Sequence, residues 1–242
     1  MRFILKLNKF WGGLILILIL LLLGLSLDLN LNNFLELRYN FGLLMQDAAV
    51  SFARVFFVSV FAWITGIVTG YLLYRTKILE IIFLPSINFF RHISPFAWLP
   101  FAIIWFGLGE SSVAFIMFIT LFFPVIIAST DIFSGIPSEY IDEAKVSGAN
   151  LRQIFRQIEI PLSIPALINL FRIIWALGWA TIIAAEMLGV NSGLGFRLLD
   201  FRYLLKYPEM LIYISFMGII GIVSDLVLNL LYKKTNKRIL GL

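Results

Sequence analysis

Residues 135–160 read GIPSEYIDEAKVSGANLRQIFRQIEI, a charged interruption between two long apolar stretches, and this segment decides how the rest of the chain is read. Too many charges stand in it for the hydrocarbon of a bilayer. Its spacing predicts two short helices. Pro137 suits a first helical turn, and Gly148 suits the position just past a helix end, where φ is positive. Asn150 is a natural cap for the second helix, and Gln153, three residues on, completes a capping box. Within that helix Leu151, Ile154, Phe155 and Ile158 follow the i, i+3, i+4, i+7 pattern, leaving Arg152, Arg156 and Glu159 on other faces. Pro161 then limits its continuation. Such a segment is either an amphipathic surface loop or a docking element for a soluble partner. A compact helix–glycine–helix unit has the firmness a lever needs.

Outward from this segment the chain is a series of apolar runs. Of its 242 residues 61% are hydrophobic and 14% charged, with a mean hydropathy of +0.97. Soluble domains carry about a quarter charged residues, so the chain lacks the material for a water-facing surface. A helix needs roughly 20 apolar residues to cross the hydrocarbon core. On that measure six transmembrane helices are expected, over about residues 10–27, 50–74, 79–109, 111–133, 161–189 and 210–232. The first is too long for a signal peptide and lacks a small-residue cleavage site after it. The third holds Pro85, Pro95 and Pro100, and the fifth Pro161 and Pro165, so both should be kinked or broken and packed against other protein.

The basic residues set the orientation. With both termini cytoplasmic, Arg2, Lys6, Lys9, Arg75, Lys77, Lys145, Arg152, Arg156, Lys233, Lys234, Lys237 and Arg238 lie inside. Only Arg38, Arg197, Arg202 and Lys206 then lie outside, as the positive-inside rule requires. The expected fold is an all-α, multi-pass membrane protein embedded in lipid, one transmembrane domain over residues 1–242 with a cytoplasmic loop at 135–160.

Several functions are excluded. The net charge of +5 is spread in short clusters between apolar runs, a topology signal and no nucleic-acid surface. There is no cysteine, and His92 is the single histidine, so neither a thiolate nor a histidine metal cluster is available. No G-x-x-x-x-G-K-[ST] phosphate loop and no G-x-S-x-G elbow occurs, so the chain is read as no enzyme, with no catalytic residue and no cofactor of its own.

Charges at membrane depth are functional-site candidates because they are expensive there. Arg91 and Arg172 fall near the middle of the third and fifth spans. Facing the bundle interior, they would form an electropositive lining for a small anion; alternatively each bonds backbone carbonyls freed by nearby prolines, or snorkels. His92, beside Arg91, is either a substrate contact or a packed core histidine. Glu186 joins them as a translocation-path candidate, though an ion pair with Arg54, at the same end of its span, is the more economical reading. Trp98, Trp105, Trp175 and Trp179 either line a passage or anchor the membrane interface. The Gly193–Leu194–Gly195 turn serves either tight packing beside a gate or contact with a delivery protein.

The loop resembles the "EAA" signature of binding-protein-dependent importer permeases: E-A-A, three residues, Gly, nine residues, Ile, one residue, Leu-Pro. Asp142, Glu143 and Ala144 stand at its start, followed by Gly148, Ile158, Ile160 and Pro161. Asp142 replaces Glu, Glu143 the first Ala, and Ile160 the Leu. RHISPFAWLPFAIIWFGLGE (Arg91–Glu110) is similar to the R-x-I-P-P-L-A-W-L-P…WFG-x-G-E stretch of the nitrate/sulfonate/taurine branch, with Ser94 in place of the first Pro. AAEMLGVNSGLG (Ala184–Gly195) is similar to that branch's A-E-M-L…S-G-L-G segment.

The resemblance implies a type I ABC importer permease in the bacterial plasma membrane, working by alternating access as a dimer, with two identical copies expected. The 135–160 loop would be the coupling helix, with Asp142, Glu143, Ala144, Gly148, Ile158 and Pro161 meeting ABC ATPase subunits that bind ATP and Mg. A periplasmic or lipid-anchored solute-binding protein would deliver an oxyanion such as nitrate, a sulfonate such as taurine, or bicarbonate. The rival is a stand-alone secondary transporter or channel for small anions. Against it, Glu186 is the one acid well inside a span and no internal repeat is visible.

Overall fold

The computed structural model describes residues 31–240, and the expected first span at 10–27 lies outside them. The described chain is helical: α1 (Leu31–Arg75), α2 (Lys77–Arg91), a 3-10 turn (Pro95–Trp98), α3 (Leu99–Phe106), α4 (Glu110–Ser134), α5 (Ser138–Val146), α6 (Leu151–Ile154), a π-helical turn (Phe155–Glu159), α7 (Ile160–Gly189), α8 (Leu194–Tyr203) and α9 (Tyr207–Leu240). Among the described residues four stretches are long and apolar enough to cross a membrane: Phe41–Arg75, Glu110–Ser134, Leu151–Met187 and Tyr207–Leu230.

The expected single span over 79–109 is instead three short pieces. Ser94, before Pro95, takes an extended ψ of 135°, because the proline ring disfavours the helical region for its predecessor. Pro95 opens the 3-10 turn and Pro100 sits in the first turn of α3, both places where a missing N–H costs nothing. α2 has 15 residues and α3 only 8, so neither alone reaches across a bilayer.

A second difference concerns Pro161. It does not end the helix that starts at Leu151: α6 runs through the π turn into α7. A proline blocks continuation by lacking an N–H and by pressing on the carbonyl four residues back. The i→i+5 register of a π turn removes the demand for that bond, and Pro161 falls in the first turn of the regular helix that follows. The buried positions record the shift. Ile154, Glu159, Ser163, Leu167, Leu170 and Ile174 are all buried, spaced by three or four except for the step of five across the π turn. Of the apolar stripe expected at Leu151, Ile154, Phe155 and Ile158, Ile154 is buried and Phe155 and Ile158 are half-buried; Leu151 is exposed, and at the end of the π turn Glu159 takes the inward place.

α4 is the centre of the bundle. Its buried residues include Val113, Ile116, Met117, Leu121, Val125, Ile126 and Phe133, and α1 and α7 pack against it. α1 approaches closely through Gly66 and Gly70, one turn apart. The Ser129 hydroxyl donates to Gly66 O and the Thr130 hydroxyl to Gly70 O, both at 3.2 Å. Small residues four apart let two helix backbones touch, which substitutes for hydrophobic driving force in lipid. Outside, the bundle is apolar: Phe57, Phe61, Val68, Ile104, Ile173, Ile222 and Val227 are all exposed. Inside it holds Asp47, Ser51, Arg54, Ser129, Glu159 and Glu186. This inverted arrangement suits a lipid surround, where apolar side chains need no cover and polar groups do.

A Cβ on Gly70 would stand 2.7 Å from Ile126 O, whereas one on Gly42 meets open space. Gly70→Leu is expected to destabilise the bundle by about 1–3 kcal/mol, and Gly42→Leu to leave it unchanged, as measured by thermal unfolding in detergent.

Candidate functional site

Three polar centres stand out in the bundle, and the sequence candidates distribute among them.

The first is the helix pair of the charged loop. Pro137 sits at the N-cap of α5, and Ser147 N–H donates to Glu143 O (3.0 Å) at its other end. Gly148 has φ +81°, its N–H donates to Lys145 O, and Ala149 N–H donates to Ala144 O, both at 2.9 Å. That pairing closes α5 with a Schellman turn, which needs the left-handed conformation at Gly148. Asn150 Oδ1 accepts from Gln153 N–H (2.9 Å) and Gln153 Oε1 from Asn150 N–H (2.8 Å), a complete capping box. α5 buries none of its residues. Asp142 and Glu143 are exposed, Ala144 and Ile158 half-buried, and Tyr140, Val146 and Leu151 present bare apolar surface, Val146 at 90%. Glu139, Asp142, Glu143 and Val146 line one open groove with Ser138 and Ser147.

Just behind this pair lies a residue that pattern reading leaves off the apolar stripe. Glu159 is fully buried. Its carboxylate accepts from the hydroxyls of Tyr71 (2.9 Å) and Tyr74 (3.3 Å) and pairs with Arg75 Nη2 (3.4 Å). The sequence signal was its setting: a lone acid between two isoleucines, two residues before a proline.

The second centre gathers toward the other end of the membrane-crossing part of α1, Phe41–Arg75. Asp47, Ser51 and Arg54, three and four residues apart, share one face of that helix. Glu186 of α7 is fully buried and meets this face. Its Oε1 accepts from Arg54 Nη1 (2.7 Å) and Ser51 Oγ (2.8 Å), and its Oε2 from Gly195 N–H (2.8 Å). Arg54 also donates to Glu110 Oε2 through Nε (2.7 Å), to Glu110 Oε1 through Nη2, to Ser192 O (2.8 Å) and to Ser192 Oγ (2.7 Å). All five guanidinium hydrogens are thereby engaged. Leu194 N–H donates to Ser51 Oγ at 2.9 Å, so the first turn of α8 is held by the same cluster. Gly193, at φ +102°, lies so close that any Cβ would overlap the Glu186 carboxylate. Of the two roles open for the Gly193–Gly195 turn, the structure displays tight packing. Asp47 pairs with Arg197 Nε at 3.0 Å. Burial works against the Arg197 charge, but the bond and field of Asp47 outweigh it and hold its pKa above the ordinary value. A cavity of about 390 Å³ lies alongside, lined by Glu110, Met187, Asn191, Ser192 and Phe196 among others.

The third centre is Arg172. It bonds no freed carbonyl; its guanidinium pairs with Asp225 of α9 at 3.0 Å. Trp175, one turn on, donates to Ser224 Oγ (2.9 Å) and packs edge-on against Phe52, with Trp179 beside it, so these two indoles belong to the helix interface. Trp105 is exposed and Trp98 half-buried. Arg91 and His92 end α2, both exposed. α2 packs on α1 and α4. Among the described residues no cluster of histidine or acidic groups fit for a metal occurs.

The family model described as "Binding-protein-dependent transport system inner membrane component" matches residues 59–241. The chain belongs to this family. Its relatives include the putative ABC transporter permease protein MJ0413 of Methanocaldococcus jannaschii, 34% identical over 189 residues, covering 76% of this chain and 69% of that one. The taurine transport system permease protein TauC of Escherichia coli is 28% identical over 191 residues, 79% of this chain and 70% of the relative. The nitrate import permease protein NrtB of Synechocystis sp. is 32% identical over 164 residues, 68% and 60% of the two chains. A chain from the MetNI methionine ABC transporter in an inward-facing conformation superimposes with a TM-score of 0.71 at 19% identity, over 81% of this chain and 97% of that one. That likeness shows a shared permease fold.

The asymmetry of the Arg54 cluster is measurable. Glu110 is two-thirds exposed at its side chain and Glu186 not at all. Glu186→Ala strands a buried guanidinium and is expected to cost about 3 kcal/mol or more. Glu110→Ala, which returns one side of Arg54 to water, should cost about 1 kcal/mol or less. Thermal melts of the two variants in detergent compare them directly.

Proposed function

We propose that this chain is the transmembrane permease subunit of an ATP-driven importer and forms the path of a small oxyanion, such as nitrate, a sulfonate such as taurine, or bicarbonate. The observation that carries the reading is the α5–α6 pair. It is capped at both inner ends, without a buried residue in α5, and continuous through the π turn with a membrane-crossing helix. A loop without a partner has no reason to expose Tyr140, Val146 and Leu151 beside Glu139, Asp142 and Glu143. The acidic edge and apolar tip fit a cleft with basic walls and an apolar floor, on a separate subunit that binds ATP and Mg and performs the hydrolysis.

In this reading two copies of the chain pair in a bacterial plasma membrane around a central passage. ATP-driven closure of the partner subunits displaces the helix pairs, and the spans reorient to open the passage toward a solute-binding protein on the other side. The oxyanion class is supported by what the relatives are named for, taurine and nitrate. Glu186, locked by Arg54, Ser51 and Gly195, serves in this reading as a strut of the outer end and not as a solute ligand. Arg91 and His92, exposed at the end of α2, are the candidates for the passage once a second copy is present.

Co-purification with ATPase subunits from the same host tests the reading. Wild type should retain the ATPase in detergent. Gly148→Val, which forces a β-branched residue into a left-handed conformation, should lose the complex or uncouple hydrolysis from transport. Gly148→Asn, which tolerates that conformation, should keep both. If no ATPase is retained and the purified chain alone moves anions into liposomes, the chain is a secondary transporter or channel.

A further inference from the structure

A π turn is a soft place in a helix. Its hydrogen bonds are poorer than those of an α-helix, and the axis bends there more readily. The one at Phe155–Glu159 stands between the exposed α5–α6 pair and α7. Left to its backbone, this joint would absorb a push on α6 as bending. The side chains around it oppose that.

Glu159 occupies the last position of the turn and is fully buried. Its side-chain partners, Tyr71 and Tyr74 by hydrogen bond and Arg75 by ion pair, all come from the end of α1, at i, i+3 and i+4. Arg75 Nε in turn donates to the Tyr71 hydroxyl at 2.7 Å, and its guanidinium lies over the Tyr71 and Tyr74 rings, 5.5 and 6.0 Å from their centroids. The Tyr71 ring touches Phe155 of the π turn at 4.7 Å and Phe133 at the end of α4 at 5.0 Å, and Tyr74 stacks on Phe133. A buried carboxylate released from such partners has no water to turn to, so opening this contact is costly. The backbone of the turn is tied as well, since the Ser163 hydroxyl donates to Glu159 O at 2.7 Å.

We propose that Glu159 is a positioning residue that clamps the π turn to the last turn of α1, so that displacement of the α5–α6 pair reaches α1 and α4 as one rigid movement. The inference rests on the docking role of that pair given above. The soft turn permits the change of direction between loop and span, and the carboxylate stops the change of direction from becoming a hinge. The chain has no cysteine, so the introduced pair carries its only labels, and mixing labelled with unlabelled copies isolates the distance within one chain.

The test is a spin-label distance between Arg152→Cys on α6 and Thr76→Cys at the end of α1, in lipid nanodiscs, with and without the co-expressed ATPase and ATP. With Glu159 intact the distribution should be narrow and should stay in place when ATP is added. In Glu159→Gln and in Tyr71→Phe, which keeps its ring contacts, it should broaden, and ATP should move it while hydrolysis continues. Glu159→Asp should restore part of the narrow peak. An unchanged narrow distribution in both Glu159→Gln and Tyr71→Phe overturns the clamp, as does a wild-type distribution already broad. Failure of the docking reading looks different: wild type binds no ATPase. The ATPase-free distributions then decide the clamp by the same comparison, narrow in wild type and broad in the variants, or not.

Discussion

The bundle depends on the burial of two carboxylates with no water to solvate them. Each recruits donors from elements far apart in sequence, and the two lie toward opposite ends of the membrane-crossing part of α1. Glu186 draws Arg54 and Ser51 of α1, and the first turn of α8, onto α7. Glu159 draws the last turn of α1 onto the π turn. Between them α1 meets α4 through Gly66 and Gly70, where close backbone contact does what apolar burial does in water. α1 is therefore fastened from Ser51 to its last turn, and α2, α3 and α9 are arranged around that frame.

Much of this was legible in the residues. The apolar runs announce membrane helices because lipid demands length and low charge, and α4 covers 110–134 as its run suggests. The helix–glycine–helix of the loop was readable down to its capping box, since Gly148, Asn150 and Gln153 each have a local reason for their place. The pairing of Arg54 with Glu186 followed from two opposite charges placed at one depth.

Other features were hidden because they depend on tertiary partners. Periodicity assumes a constant 3.6 residues per turn, so one inserted residue rotates everything that follows it by about 100°. That is how Glu159 was left off the buried stripe. Pro161 carries a breaking signal, yet the same π turn neutralises it. Arg172 looked like a lone charge because Asp225, its partner, lies 53 residues away on another helix. The G-x-x-x-G spacing at Gly66 and Gly70 was present in the letters, but only the approach of α4 gives it a meaning.

The π turn also imposes a phase. Each residue of a regular helix turns the chain by about 100°, so an extra one sets the outward face of α6 by its own count and not by that of α7. The direction in which the exposed pair points is in this way a matter of arithmetic, adjustable by adding or removing a single residue without altering the spans. A lineage of such proteins would be free to re-aim the same lever at differently shaped partners by changing the length of the elbow, leaving the membrane-embedded machinery untouched.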